Sequence, residues 1–379
     1  MIRALGLIAL IALSQPAQAQ VAVSRPAAAK LPPASAVLTK IAFGSCMKET
    51  RPIPALRSVV ASRPDLFLAM GDNVYGDDPG TDPALPILTN AYRDLAKNAD
   101  FAALSASVPI LATWDDHDFG ANDAGAAYGG KHRAEALFEG FWGPSALGKG
   151  HAGVYGARVF GPKGRRVQII LLDMRSFRSP LKDTDVRGGR GKERYVPDSS
   201  PDKNMLGAAQ WAWLARQLKV PAEIRLIVSS VQVLADGHGY EAWHTLPLER
   251  QRLFSLIKTN QAKGVVIVSG DRHLAALYRQ DGLVGYPLVE LTASALNRSM
   301  RATNDEMSSQ QIGPAYALNN SGLVEIDWAG RGLRLSIRNE AGEEVQGLPL
   351  AFAELGLGGL TDPEPLGTGD SLEPPGNAY

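Results

Sequence analysis

The sequence predicts an α/β fold, a sandwich with sheets inside and helices outside, whose C-terminal part is mostly strand. Three observations predict it. Apolar runs of strand length recur along the chain; segments with helical periodicity separate them; and after Gly285 the helical pattern gives way to strand runs alone. In chain order, Thr39–Phe43 reads as a first buried strand and Ile53–Ser62 as a helix. Asp65–Met70 and Pro109–Thr113 are further apolar runs too short for helices, followed by a helical pattern at Lys131–Trp142. Strand Arg166–Leu172, helix Met205–Lys219, strand Ile224–Ser229, helix Pro247–Ala262 and strand Val265–Ser269 continue the alternation. Pro287–Thr292, Gly322–Trp328 and Gly332–Arg338 form the closing block of strands.

Composition narrows the function classes. The 379 residues carry 39 basic and 39 acidic side chains, with 45% hydrophobic and 21% charged residues. A disordered chain would combine low hydrophobicity with high net charge, and a nucleic-acid binder would carry a basic excess; neither pattern is present. A chain this long buries roughly 75% of its unfolded surface, so it needs no covalent staple. Its lone cysteine, Cys46, has no partner for an internal disulfide.

The ends read differently from the middle. Arg3, the apolar run Leu5–Leu13 and the small-x-small triplet Ala17-Gln18-Ala19 predict a cleaved Sec-type signal peptide over residues 1–19. The expected location is therefore periplasmic or secreted. The apolar run is too short to span a bilayer, and no other segment looks transmembrane. Residues 20–37, with Pro26, Pro32 and Pro33, are expected to be a linker. Residues 351–379 are expected to form a flexible tail rich in Gly and Pro, with acids at Asp362, Glu364, Asp370 and Glu373.

The informative residues follow the strands. After the first come Gly44-Ser45-Cys46; after the second, Gly71-Asp72-Asn73-Val74-Tyr75; after the third, Trp114-Asp115-Asp116-His117-Asp118, then Asn122 and Asp123. Strand Ile224–Ser229 leads to Ser230, Gln232 and His238, and Val265–Ser269 ends at Gly270-Asp271-Arg272-His273. Ligands of open α/β sheets bind beyond the carboxyl ends of strands. Each block alone has an ordinary explanation: an Asx turn, a surface histidine, a buried small thiol. Together they bring thiolate, phenolate, imidazole and carboxylate groups to one edge. Carboxylates gathered so closely repel one another unless cations neutralise them.

These blocks resemble the PhoD-like alkaline phosphatase family, a branch of the calcineurin-like metallophosphoesterases. The resemblance rests on Phe43-Gly44-Ser45-Cys46, Gly71-Asp72-Asn73-Val74-Tyr75, Trp114-Asp115-Asp116-His117-Asp118 and Ser269-Gly270-Asp271-Arg272-His273, in that order. Leu172-Asp173-Met174-Arg175-Ser176-Phe177-Arg178-Ser179 and Met205–Leu214 add to it. It spans about residues 38–340, and residues 38–350 are expected to form the metallophosphatase domain. The resemblance implies a four-layer α/β/β/α core and hydrolysis of a phosphomonoester or phosphodiester by a water that bound metal activates. It implies iron and calcium as cofactors, with other divalent metals as substitutes.

Position by position, the resemblance places Cys46 and Tyr75 as iron ligands and Asp72 as the carboxylate bridging the metals. Asp116, Asp271 and His273 become further metal ligands, and His117 the catalytic histidine facing substrate. Asn73 and Asn122 stand as metal or second-sphere oxygens, and Arg175, Arg178 and Arg272 as phosphate binders. Gln232 follows the strand where relatives carry a histidine. Asp118 stands where the family often has Glu. The separate N-terminal β domain and twin-arginine signal common in the family have no counterpart in this sequence. The expected partner is a phosphoester substrate, with no nucleic acid as a partner, and the chain is expected to be monomeric. Two other readings of the same residues remain: a thiol hydrolase using Cys46 with His117 or His273, and a non-catalytic exported module whose acidic loops hold calcium.

Overall fold

A computed structural model describes residues 23–148, 150–300 and 308–358 of the chain. The expected signal peptide and most of the expected tail lie outside the described residues. In chain order the elements are β1 (Lys40–Gly44), α1 (Pro54–Ser62), β2 (Leu66–Met70), α2 (Pro86–Lys97), α3 (Ala99–Ser107), β3 (Ile110–Thr113), α4 (Asp116–Phe119) and α5 (Lys131–Trp142). There follow β4 (Gly156–Phe160), β5 (Val167–Leu171), the two-residue strands β6 (Lys182–Asp183) and β7 (Tyr195–Val196), α6 (Gly207–Gln217), β8 (Ile224–Ser229) and α7 (Pro247–Thr259). The chain continues through β9 (Val265–Ser269), β10 (Ala275–Gln280), β11 (Leu288–Ala293), β12 (Gln311–Tyr316), β13 (Asn320–Asp327), β14 (Gly332–Asn339) and β15 (Glu344–Ala351).

Two mixed sheets form the centre. One runs β15-β14-β13-β1-β2-β3, the other β12-β10-β11-β9-β8-β5-β4. The strands that lead to the candidate site residues are parallel within each sheet: β1, β2 and β3 in the first, β5, β8, β9 and β11 in the second. Parallel strands covered on both faces need apolar side chains at every position, which explains the uninterrupted runs in the sequence. Alternation then divides each run between two cores. From β2, Leu66, Leu68 and Met70 face the space between the sheets, whereas Phe67 and Ala69 join the cluster under the helices. From β9, Val266 and Val268 face inward while Val265 and Ile267 meet the other helical layer.

The outer clusters identify those layers. Leu56, Leu88, Tyr92, Phe101, Phe138 and Trp142 pack α1, α2, α3 and α5 onto the first sheet. Trp211, Leu214, Leu253 and Ile257 pack α6 and α7 onto the second. The order is helix, sheet, sheet, helix, as expected. Each buried Leu, Ile, Val or Phe contributes about 1.5–3 kcal/mol relative to exposure.

Two boundaries differ from the expectation. Residues 23–37 do not hang free as a linker: Val23 is buried, Leu31 packs against the core between the sheets, and backbone bonds join Ala29 to Ser105 and Gly161 to Ala34. The proline content marked an extended path, and its few apolar residues dock that path on the body. Residues 351–358 likewise belong to the fold rather than to a tail. Phe352, Leu355 and Leu357 are buried in the core between the sheets.

Candidate metal centre

The carboxyl ends of the parallel strands of both sheets are stitched together by backbone. Ser45 after β1 bridges in parallel fashion to Ser294 after β11. Met47 N–H donates to Asp72 O at 3.0 Å, Leu296 N–H to Ser45 O at 3.0 Å, and Gly270 N–H to Ser230 O at 3.1 Å. Cys46, Asp72, Asp271 and His273 all stand in the left-handed region, at φ of 59°, 49°, 66° and 55°. Side chains other than glycine rarely take this conformation, and such strain clusters at functional sites. Gly71 makes the convergence sterically feasible. Its φ is +103°, and a Cβ there would fall 2.5 Å from Asp115 Cβ.

Two ligand groups meet at Asp72. Ligand atoms of Cys46, Asp72 and His273 lie within 4.8 Å of one another, as do those of Asp72, Asp116 and His117. Cys46 Sγ is 3.3 Å from Asp72 Oδ2, and the Tyr75 hydroxyl is 3.0 Å from the same oxygen and 3.2 Å from His273 Nε2. Asp115, Asp116 and Asp271 form a third such group, and Asp116, Asp123 and Glu241 a fourth. The buried oxygens Asp72 Oδ1, Asn73 Oδ1 and Asp115 Oδ2 accept no hydrogen bond. A buried acceptor without a donor is costly, and a cation satisfies it. The donor set is therefore one that fits metal ions, soft on the Cys46 side and oxygen-rich on the Asp116 side.

The electrostatics of most of these groups in the bare protein point the same way, whereas Asp116, despite its burial, is held below the usual carboxylate range by His117 and Arg175. Burial, then the neighbouring charges of Cys46 and other acids, pushes Asp72 well above the usual carboxylate range. Burial, with Asp115 and Asp116, does the same to Asp271. Burial raises the Cys46 thiol to about 11, so a thiolate here needs a cation beside it. Burial lowers His273 to about 4, helped by Arg298 and Arg272, which leaves a neutral imidazole suited to ligation. Burial would also lower His117, but Asp116, Asp72 and Asp77 outweigh it and raise it to about 10.

The flanking residues hold this arrangement. His117 Nδ1 lies 2.8 Å from Asp77 Oδ1. Asp118 accepts the backbone N–H groups of Asn73 and Asp115 at 3.1 and 3.0 Å, so its carboxylate ties two loops together. Arg175 and Arg178, expected to face phosphate, instead sit on carboxylates. Arg175 donates to Asp115 Oδ1 at 2.6 Å and Glu241 Oε2 at 2.6 Å, and Arg178 Nε lies 2.7 Å from Glu241 Oε1. Arg272 stacks over the Tyr240 ring at 4.1 Å. Gln232 bonds Tyr278, Thr292 and His238 within the core. Asn122 is exposed on the loop after α4.

Three residues at the centre carried no expectation. Ser294 Oγ lies 3.0 Å from Cys46 Sγ and accepts His273 N–H at 2.8 Å. Half-buried Arg298 stands 4.2 Å over the Tyr75 ring. Both follow β11, a sixth strand end to which the same rule applies. Glu241 lies in an irregular loop with no sequence signal.

A family model described as PhoD-like phosphatase matches residues 151–342, half of the chain. The chain belongs to the PhoD-like phosphatase family. The matched span carries Arg175, Arg178, Asp271, Arg272 and His273, and the fold brings these to the β1–β3 residues that precede the span. Alkaline phosphatase D of Bacillus subtilis (strain 168) is 23% identical over 270 residues, covering 61% of this chain. The chain spans 45% of that relative's length. A solved structure of PhoD superposes with a TM-score of 0.61 at 15% identity, covering 83% of this chain and 73% of that one. A purple acid phosphatase from yellow lupin (Lupinus luteus) seeds gives 0.55 at 10% identity, covering 84% and 55%. These likenesses show a PhoD-like metallophosphoesterase fold.

Proposed function

We propose that this PhoD-like protein is a metal-dependent phosphoester hydrolase. The observation that carries the reading is Asp72: one buried carboxylate shared by the Cys46–His273 group and the Asp116–His117 group. A carboxylate so placed suits a pair of cations. Cys46, Tyr75, Asp72 and His273 would hold the softer one, which we take to be iron. Asp116, which meets Asp72 in one ligand group and Asp271 in another, would hold a harder one such as calcium with help from these carboxylates and the unpartnered Asn73 Oδ1. Bound there, cations supply Lewis acidity toward the phosphoryl group and make water a competent nucleophile near neutral pH.

The chain's own groups do the rest. His117, its Nδ1 anchored by Asp77, gives a proton to the departing alkoxide. Arg298 is a cation at the mouth of the Cys46 group with no carboxylate on it among the described residues, and it binds non-bridging phosphoryl oxygens. Arg175 and Arg178 balance Asp115 and Glu241 and so keep the acidic loops in place. The Leu5–Leu13 run and its cleavage triplet support action outside the cytoplasm.

The thiol-hydrolase reading is disfavoured because Cys46 hydrogen-bonds Ser45, Asp72 and Ser294, while the nearby His273 Nε2 pairs with the Tyr75 hydroxyl. Elemental analysis and visible absorption, run beside a panel of monoesters and diesters, test the proposal. We expect iron in the purified protein, a colour that Tyr75→Phe removes, and turnover of at least one ester class. A colourless, iron-free protein fully active with calcium alone would refute the thiolate–phenolate assignment. Metal-dependent stability without turnover would favour a calcium-holding module.

A further inference from the structure

Beside the metal centre, a half-open cavity of about 320 Å³ lies between the loop after α4 and the β6–β7 ribbon. Ala124, Ala126, Tyr128, Pro180, Leu181 and Tyr195 supply most of its wall. It adjoins the centre through Asp123. That residue lines the cavity, its carboxylate lies within 4.8 Å of ligand atoms of Asp116 and Glu241, and its N–H donates to Asp116 Oδ2 at 2.7 Å.

The buried and half-buried polar side chains of the wall are already engaged, while Asp183 stands exposed at its edge. The Tyr195 hydroxyl donates to Asp123 Oδ2 at 2.8 Å, and the Tyr128 hydroxyl to Asp78 O at 2.9 Å. Arg178 is held by Glu241 and by the carbonyls of Asp123 and Ser179. Tyr128 is also fixed in place. Its ring lies 5.5 Å from that of Phe119, and a Cβ on Gly120 would come 2.5 Å from its hydroxyl. What the wall still offers is phenol rings, alanine methyls and the apolar surfaces of Pro180 and Leu181. Asp123 and Asp183 make it unsuited to a second anionic group. A volume of this size is near the lower end for small-molecule sites, enough for one ring system.

Resting on the phosphoester-hydrolase reading, we propose that this cavity is the leaving-group subsite, and that it takes an alcohol bearing an uncharged aromatic ring. An aryl alcohol and a nucleoside share that chemistry. The metal-loaded full chain would be assayed with benzyl phosphate, adenosine 5′-monophosphate and ethyl phosphate. All three release primary alcohols, so the comparison reads recognition of the ring.

We expect kcat/KM for at least one ring-bearing ester to exceed that for ethyl phosphate by about tenfold. In Ala127→Trp, which fills the rim, the advantage should fall about tenfold, and in Leu181→Ala about threefold, with ethyl phosphate within twofold of wild type. Preference for benzyl phosphate alone or for the nucleotide alone identifies the source. Three equal esters, or an advantage unmoved in both folded variants, overturns the subsite. If no ester is turned over, the hydrolase reading fails by itself. The subsite is then judged by saturation-transfer NMR with benzyl alcohol and adenosine, where binding weakened by either variant supports it and absent or unaltered binding refutes it.

Discussion

At Asp72 a single carboxylate accepts from Cys46 and Tyr75 through Oδ2 while Oδ1 stays buried and unpartnered. An amide in its place keeps the size but loses the charge that two cations would share. Changes to groups that merely orient a ligand cost 10–100-fold, so Asp72→Asn should lower turnover by at least roughly 100-fold. Far-UV circular dichroism should stay unchanged; comparable turnover at saturating metal would refute the bridging role. His117 makes a different prediction. With Nδ1 held by Asp77, its remaining ring nitrogen can serve a leaving group. His117→Ala should slow alkyl phosphates by roughly 10²–10⁴ and activated aryl phosphates far less. An equal loss on both classes would make His117 a ligand or a support of its loop.

The elements explain why some of this could be read from sequence and some could not. Strands β1, β2, β3, β8 and β9 are buried on both faces, and such runs are visible as apolar stretches whose ends then draw attention to Cys46, Asp72, Asp116 and Asp271. β12 and β15 are interrupted by Gly313 and Pro314, and by Gly347 and Pro349, residues that ordinarily argue against strands. In α2 the buried Leu88, Tyr92 and Leu95 are spaced as a helix requires but are diluted by polar neighbours.

Arg175 shows a deeper limit. An arginine after a strand looks the same whether it meets phosphate or carboxylate, and its partner Glu241 lies 66 residues further along the chain. The structure settles its surroundings: fully buried, it ties the end of β5 to Asp115 and Glu241. Removing one member of a buried ion pair leaves the other uncompensated, at about 3–5 kcal/mol. Arg175→Ala should lose stability of that order in urea unfolding monitored by tryptophan fluorescence. A loss below about 1 kcal/mol would mean that the network is not needed to hold the acidic loops.

On the scale of the whole molecule, the sandwich brings the carboxyl ends of strands from both sheets to one edge, and the Ser45–Ser294 bridge closes the seam between them. Asp72, Asp271, the Cys46 thiol and the Tyr75 phenol are collected there out of water, and in the bare protein burial and neighbouring negative charges push each toward its protonated form. Bound cations would resolve that conflict and supply the chemistry at the same time. The measurement that bears most directly on this is phosphoester turnover by the purified chain after exhaustive chelation and again after metal is returned. The account predicts that turnover disappears with the metal and returns with it. A chain shown by elemental analysis to be metal-free, yet hydrolysing the ester at its original rate, would contradict it.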